Sequence, residues 1–167
     1  MAASAEAILE NASVKRVREA LLARGAGERV IALDGAARTA AEAAAALGCE
    51  VGAIVKSLVF SDNGQAVMAL VAGDRQCDVA ALGRALGLGA TPGRADADLV
   101  RRATGFAIGG VSPLGHAERL PVAVDSSLTR FPQLHAAAGH PYAVFPLSYE
   151  ELLAWTGGVE AADLTRA

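Results

Sequence analysis

The stretch A-I-V-K-S-L-V-F-S-D-N-G-Q-A-V-M-A-L-V, residues 53–71, decides the fold. Two apolar runs flank Ser61-Asp62-Asn63-Gly64, and Asn-Gly is the strongest short hairpin signal, because both central positions of the turn need positive φ. Both runs are apolar at odd and even positions alike, so the spacing predicts strands over 53–60 and 65–71 that are covered on both faces. A sheet packed by helices, or a barrel, meets that condition.

Helix signals surround the hairpin. Thr39-Ala40-Ala41-Glu42 reads as a capping box that opens an alanine-rich helix stopping at Gly48. Ser13 is placed to cap an earlier helix over 13–24, with Val14, Val17, Leu21 and Leu22 on its apolar side and Gly25 and Gly27 ending it. Asp78 and Asp96 read as caps of helices reaching Leu86 and Thr104, with Thr91-Pro92-Gly93 as the turn between them. Ser148-Tyr149-Glu150-Glu151 is a second capping box, and its helix ends at Gly157-Gly158. Short strands are expected over 29–33, 121–124 and 142–145, and Phe106-Ala107-Ile108 reads as a β-type run. Residues 133–138 suit strand or helix, and Ala136-Ala137-Ala138 favours helix by propensity. The expected class is α+β: a compact mixed-sheet, barrel-like core flanked by helices.

The bulk numbers narrow the function. A chain of 167 residues suits one domain over 1–167, and 53% hydrophobic residues, many of them alanine, supply a core of small, close-packed side chains. No apolar run approaches the roughly 18 residues of a membrane span. The N-terminus has neither the basic region nor the apolar segment of a signal peptide. Cys49 and Cys77 stand alone, without zinc spacing, as suits a reducing compartment. These features predict a cytoplasmic protein. The formal charge of −3 argues against broad coating of nucleic acid, but it allows contact with the end of an RNA, where few phosphates are neutralised.

Few residues read as chemistry. Lys56 shares a strand face with Ile54, Leu58 and Phe60, and an ammonium on an apolar face is costly unless it reaches water, a partner or a pocket. The stretch G-F-A-I-G-G-V-S-P-L-G-H, residues 105–116, combines Gly109, Gly110 and Gly115 with a stiffening Pro113. Glycine amides can converge into an anion-binding nest or let a ligand lie against the main chain. The same pattern also describes an ordinary wide turn. No phosphate-loop or dinucleotide-binding pattern occurs. His116, His135 and His140 lack metal-hydrolase spacing and read as surface or loop histidines. Ser57, Ser112 and Ser126 lack a nucleophile-elbow context, and Cys77 has no identifiable base. Lys15, Arg16, Arg18, Arg101 and Arg102 form two basic clusters, which read first as solvated helix faces.

Taken together, Thr39–Gly48, Ile54–Phe60, Gly105–His116, Asp125-Ser126-Ser127-Leu128 and Ala138–Phe145 resemble the YbaK/prolyl-tRNA-synthetase-associated family, over about residues 13–165. The resemblance implies freestanding, trans-acting hydrolysis of the ester between a wrong small amino acid and the 3′ end of a tRNA. The small amino acids are alanine, 2-aminobutyrate, cysteine, serine or threonine, and the tRNA is that for proline. No metal or cofactor is implied. Carried over by position, Lys56, Gly109 and Gly110 are the catalytic set, with Lys56 at the terminal adenosine or the aminoacyl carbonyl. Thr39, Ser57, Val111, Ser112, Pro113, Gly115, His116, Asp125, Ser126, Gly139 and His140 are the implied substrate-binding positions. Partners implied are the acceptor end of a mischarged tRNA and prolyl-tRNA synthetase. Such a second site has a physical reason to exist, because one methylene gives only about 1–3 kcal/mol of discrimination in a synthetase pocket. Two alternatives fit the same residues: a non-catalytic module that binds tRNA ends or a synthetase, and a hydrolase of simple amino-acid esters.

Overall fold

The computed structural model describes residues 4–167. In chain order its helices are α1 (Ala5–Leu9), α2 (Ala12–Ala23), α3 (Ala40–Leu47), α4 (Val79–Leu86), α5 (Ala97–Thr104) and α6 (Tyr149–Thr156). Its strands are β1 (Ile31–Ala32), β2 (Ile54–Asp62), β3 (Gln65–Ala72), β4 (Gln76–Cys77), β5 (Gly93–Arg94), β6 (Val122–Asp125), β7 (Leu134–His140), β8 (Ala143–Leu147), β9 (Val159–Ala161) and β10 (Thr165–Arg166). The main sheet runs β1-β8-β7-β2-β3-β6-β9, with β5 added to β2; β4 and β10 pair separately. Parallel and antiparallel neighbours are mixed, and the outermost strands β1 and β9 are not paired with each other.

The β2–β3 hairpin forms as its sequence dictates. Asn63 and Gly64 both take positive φ, 51° and 88°, and the Gly64 amide donates to the Ser61 hydroxyl at 3.0 Å. Along β3, Met68, Leu70 and Ala72 face one core with Val14, Val17 and Leu21 of α2, while Val67, Ala69 and Val71 face another with Leu82 of α4 and Leu164. Burial on both sides explains the unbroken apolar run. No helix among the described residues is long and apolar enough to cross a membrane.

Caps fall largely where the side chains predict. Thr39, Asp78, Asp96 and Ser148 each accept from a backbone amide in the first turn of their helices, and Ser148 and Glu151 form the full reciprocal box. The first cap differs. Asn11, not Ser13, caps α2 by accepting from the amides of Ser13 and Val14, because Ser4–Leu9 already forms a capped helix and its exit brings Asn11 to the Ncap. Leu22 lies on the exposed side of α2, at 51% accessible.

Two further expectations give way to tertiary context. Residues 134–140 are strand, not helix, since Ala136 and Ala138 fill the space beside Phe145 and Leu134, where small side chains on a buried strand fit. The run Phe106-Ala107-Ile108 is an irregular turn. Phe106 is buried beneath the Arg16 guanidinium at 5.2 Å, Ile108 is 63% exposed, and the Gly110 amide donates back to the Ala107 carbonyl at 3.1 Å. Arg16 also donates to the carbonyls of Gly115, Gly105 and Thr104, so it clasps both ends of the glycine-rich loop and is no solvated face charge.

One irregularity positions the site. β7 pairs with β2 only at Ile54↔His135 and Val55↔Ala136, and β5 pairs with β2 only at Phe60↔Arg94 and Ser61↔Gly93. Between them, Lys56 to Val59 have no strand partner on that edge. The register of β7 against β8 slips between Ala137 and His140, at Gly139 with φ 91°. Such bulges bend a strand, and this one turns β7 away from β2 and leaves a split in the sheet.

Candidate functional site

The split opens into a cavity of about 780 Å³. β2 from Ile54 to Phe60 forms its floor. α3 with Arg38 and Thr39 stands at one end, and β5 with Arg94 at the other. Ile108, Gly109 and Val111 of the glycine-rich loop form a further wall, and His135, Ala136 and Ala137 of β7 complete it. Much of the wall is alanine and valine. That is where the small residues of the composition are used.

Lys56 stands in this lining. Its ammonium donates to the Arg75 carbonyl at 2.6 Å, which leaves two of its three N–H groups for a ligand. The carbonyl is itself fixed. The Arg75 amide closes a turn on Ala72, and the Arg75 guanidinium donates to the Thr165 hydroxyl at 2.7 Å and the Thr165 carbonyl at 3.2 Å. Strand β10, some ninety residues on in sequence, therefore holds the lysine's anchor. Nearby Cys77 is half-buried, and burial, reinforced by Asp78 and Asp125, pushes its thiol up to about 11 despite the opposing charge of Lys56. It stays a thiol near neutral pH, which leaves it inert as a nucleophile.

Of the residues expected to bind substrate, Thr39, Ser57 and Val111 line the cavity together with Lys56 and Gly109. The Ser57 Oγ is buried and has no hydrogen-bond partner among the described residues. Gly109 has φ 100°, and its amide donates to no group among the described residues, so it is available to a ligand. The structure places the others differently. Gly110 is not in the lining. Its amide is spent on Ala107, and a Cβ there would meet the His140 amide nitrogen at 2.8 Å. Its bareness serves the close approach of the loop to β7.

Ser112 and Pro113 are buried inside the loop, and the Ser112 hydroxyl accepts from the Leu114 amide. The Gly115 carbonyl accepts from Arg16 at 2.7 Å. His116 bonds the Ser112 carbonyl at 2.6 Å and meets Phe106 edge-on. Asp125 is fully buried, and its carboxylate accepts from the Ala72 amide, the Ser127 amide and the Ser127 hydroxyl, which ties β6 to the end of β3. Ser126 belongs to the short helical turn that follows. Gly139 packs on α2 at Ser13 and on Phe106. The His140 ring accepts from the Tyr142 amide through Nδ1. Gly110, Ser112, Pro113, Gly115 and His116 build the loop, Gly139 and His140 the bulge, and Asp125 and Ser126 the junction of β6 with β3; none of these positions lines the cavity.

His116 gives a stability prediction. Burial, with help from Arg16 and Arg24, holds its imidazole below the ordinary 6.5, although the Ser112 carbonyl works against this. Burial does the same for His135. Both rings stay neutral in the folded chain at pH values where the unfolded chain takes up their protons. Stability is therefore intact above about pH 6.5 and falls as pH drops toward the native pKa values, by at most about 1.4 kcal/mol per pH unit for each ring. The expected result is a midpoint of thermal unfolding that declines from pH 7 to 5.5, with a shallower decline in His116→Gln. A flat profile in the native chain contradicts this.

Sequence reasoning passed over Arg38, Arg94 and His135. Arg38 and Arg94 lie outside any motif. His135 was read as a surface or loop residue, yet it stands in the cavity lining with Nδ1 buried and unpartnered among the described residues. Its only signal is that it alternates with buried Leu134 and Ala136. Among the described residues, no three His, Cys, Asp or Glu side chains converge as metal ligands would.

The chain resembles known proteins in sequence and in fold. A family model described as an aminoacyl-tRNA editing domain matches residues 34–154. The chain is 44% identical to a solved structure described as "a putative trans-editing enzyme for prolyl tRNA synthetase", with a TM-score of 0.85 over 94% of this chain and 99% of that one. It is 30% identical to the solved hypothetical protein APE2540, with a TM-score of 0.80 over 90% of this chain and 99% of that one. It is also 30% identical to the uncharacterized protein YwhH of Bacillus subtilis (strain 168) over 141 residues, 84% of this chain and 88% of that one.

Proposed function

The chain belongs to the aminoacyl-tRNA editing domain family, and from this and the cavity we propose that it is a trans-acting deacylase of mischarged tRNA. In this reading residues 1–167 form one editing domain. It works in the cytoplasm on the acceptor end of tRNA(Pro), alone or beside prolyl-tRNA synthetase, and removes alanine, 2-aminobutyrate, cysteine, serine or threonine. The observation that carries it is the joint presence of the Lys56 side chain and the Gly109 backbone in the lining of one cavity walled by small residues. At about 780 Å³ the cavity is of the size that holds a whole small ligand, so it takes the terminal adenosine together with its aminoacyl group. Phe60 offers a ring against which the adenine can stack.

Water attacks the ester carbonyl carbon, and a tetrahedral oxyanion forms. The carbon–ribose oxygen bond then breaks, the ribose oxygen takes up the proton that the attacking water gives up, and a free amino acid leaves. Lys56 and the Gly109 amide stabilise the oxygen that gains charge, which acts best from donors fixed in advance. No protein nucleophile enters; the neighbouring ribose hydroxyl helps to orient the water. Gly110 contributes by letting the loop lie against β7, and Ser57, Thr39 and Val111 bound the space left for the amino acid.

A panel tests this reading: tRNA(Pro) charged in turn with alanine, cysteine, serine, threonine and 2-aminobutyrate, each incubated with the purified chain. Release of at least one above the buffer rate is expected, with prolyl-tRNA(Pro) spared. Binding of tRNA without any release identifies a non-catalytic module instead. Hydrolysis of simple amino-acid esters without dependence on tRNA identifies a general esterase.

A further inference from the structure

We propose that Arg38 and Arg94 form a two-armed clamp at the mouth of the cavity that grips the phosphodiesters of a single-stranded RNA 3′ end. This inference rests on the deacylase reading for its ligand, and it assigns residues that no motif in the sequence singles out.

Placement comes first. Arg38 directly precedes the Ncap Thr39 of α3, and Arg94 lies in β5 opposite Phe60; both are exposed and both line the cavity. β2 runs about 20 Å from Ile54, which packs on α3, to Phe60, so the two arginines stand at opposite ends of the opening and meet different phosphates. The Arg38 guanidinium also overhangs the glycine-rich loop: a Cβ built on Gly109 would lie 3.9 Å from its Nη1. A group held by Arg38 is thereby held beside the amide assigned to the reacting ester.

The second argument is electrostatic. Lys15, Arg18, Arg29, Arg84 and Arg130 are all paired with carboxylates, and Arg16, Arg24 and Arg75 donate to carbonyls. Arg38 and Arg94, like Arg101, Arg102, Arg119 and Arg166, form no ion pair or side-chain hydrogen bond among the described residues, and of these six only Arg38 and Arg94 line the cavity. Carboxylates do not claim them, so they remain open to an anion. Alanine and valine make up half of the cavity lining, and the one lysine inside it, Lys56, is assigned to the ester, so a phosphate drawn inside would lose hydration with little compensation. The charged part of a nucleotide ligand must therefore stay at the rim, where these guanidinia are. Beyond Arg94, a smaller hollow brings in Arg102 but also Asp96 and Asp98, so the favourable field ends there and the clamp is confined to the last few nucleotides.

The test uses the full chain and its Arg38→Gln, Arg94→Gln and double variants. Binding of a short single-stranded RNA ending in C-C-A is measured as a function of salt, and hydrolysis is measured on two substrates. These are full-length aminoacyl-tRNA and 3′-aminoacyl-adenosine, which has no phosphate. Each phosphate contact on a single strand contributes about 0.7 to the slope of log affinity against log salt. Each single variant is expected to flatten the slope by about 0.7, and the double variant by about 1.4. Hydrolysis of aminoacyl-tRNA falls through a raised KM, while hydrolysis of aminoacyl-adenosine stays unchanged. An unaltered slope, absence of RNA binding by the native chain, or equal losses on both substrates overturns the clamp. RNA binding with the expected slopes but no ester hydrolysis sinks the deacylase reading and leaves the clamp standing. Hydrolysis of aminoacyl-adenosine with unaltered slopes does the reverse.

Discussion

Replacing Lys56 by alanine lowers deacylation about 10²- to 10³-fold, the loss typical of removing one fixed donor from a developing oxyanion. The fold survives the change. The lysine makes one hydrogen bond, to the Arg75 carbonyl, and a hydrogen bond contributes only about 0.5–1.5 kcal/mol net. Lys56→Met keeps the apolar stem against the wall and separates packing from charge, and it loses activity as alanine does. Lys56→Arg does not restore it, because a planar guanidinium cannot keep the Arg75 bond and present the same compact charge to the ester. Initial rates on mischarged tRNA(Pro), read beside urea unfolding curves, check this. An alanine variant with native kcat/KM removes Lys56 from the reaction.

Gly110→Ala gives the second large effect, and it reads out in both stability and rate. The new Cβ would lie 2.8 Å and 2.9 Å from the His140 nitrogen and Cα and 3.0 Å from the Gly139 carbonyl carbon. All three are backbone atoms at the bulge and cannot rotate aside. Relief requires the loop to move off β7, a cost of about 1–3 kcal/mol, and the Gly109 amide moves with it. Gly109→Ala differs in cause. Space is open there, with only Arg38 within 4 Å, but φ 100° penalises any side chain by about 1–2 kcal/mol. A Gly110→Ala chain with the native urea midpoint and native rate contradicts the described contact.

The hairpin, the caps at Thr39, Asp78, Asp96 and Ser148 and the glycine ends of the helices were legible because each depends on a few adjacent residues. Residues 133–138 suit strand or helix by local signals, and the strand wins because the alanines of β7 owe their conformation to Phe145 and Leu134 across a core, not to propensity. The glycine-rich loop was legible as a loop, but the run before it was not a strand. Arg16, some ninety residues away, and the burial of Phe106 set that path. Lys56 stood out because a charge on an apolar strand face demands a partner. That the partner is a carbonyl braced by β10, and that the cavity exists because β7 bends at Gly139, are tertiary facts with no local signature. His116, His140 and Asp125 carried the chemistry expected of a site, yet one ring nitrogen of each histidine is engaged by backbone, and the Asp125 carboxylate is taken up by two backbone amides and the Ser127 hydroxyl.

The most direct measurement is amide chemical-shift mapping with a 3′-alanylamino adenosine, whose amide replaces the ester and resists hydrolysis. The account predicts shifts concentrated at Gly109, Val111 and the Lys56–Val59 edge, and their loss in Lys56→Ala. Shifts confined to the region of Asp125 and His140, or none at saturating ligand, contradict it.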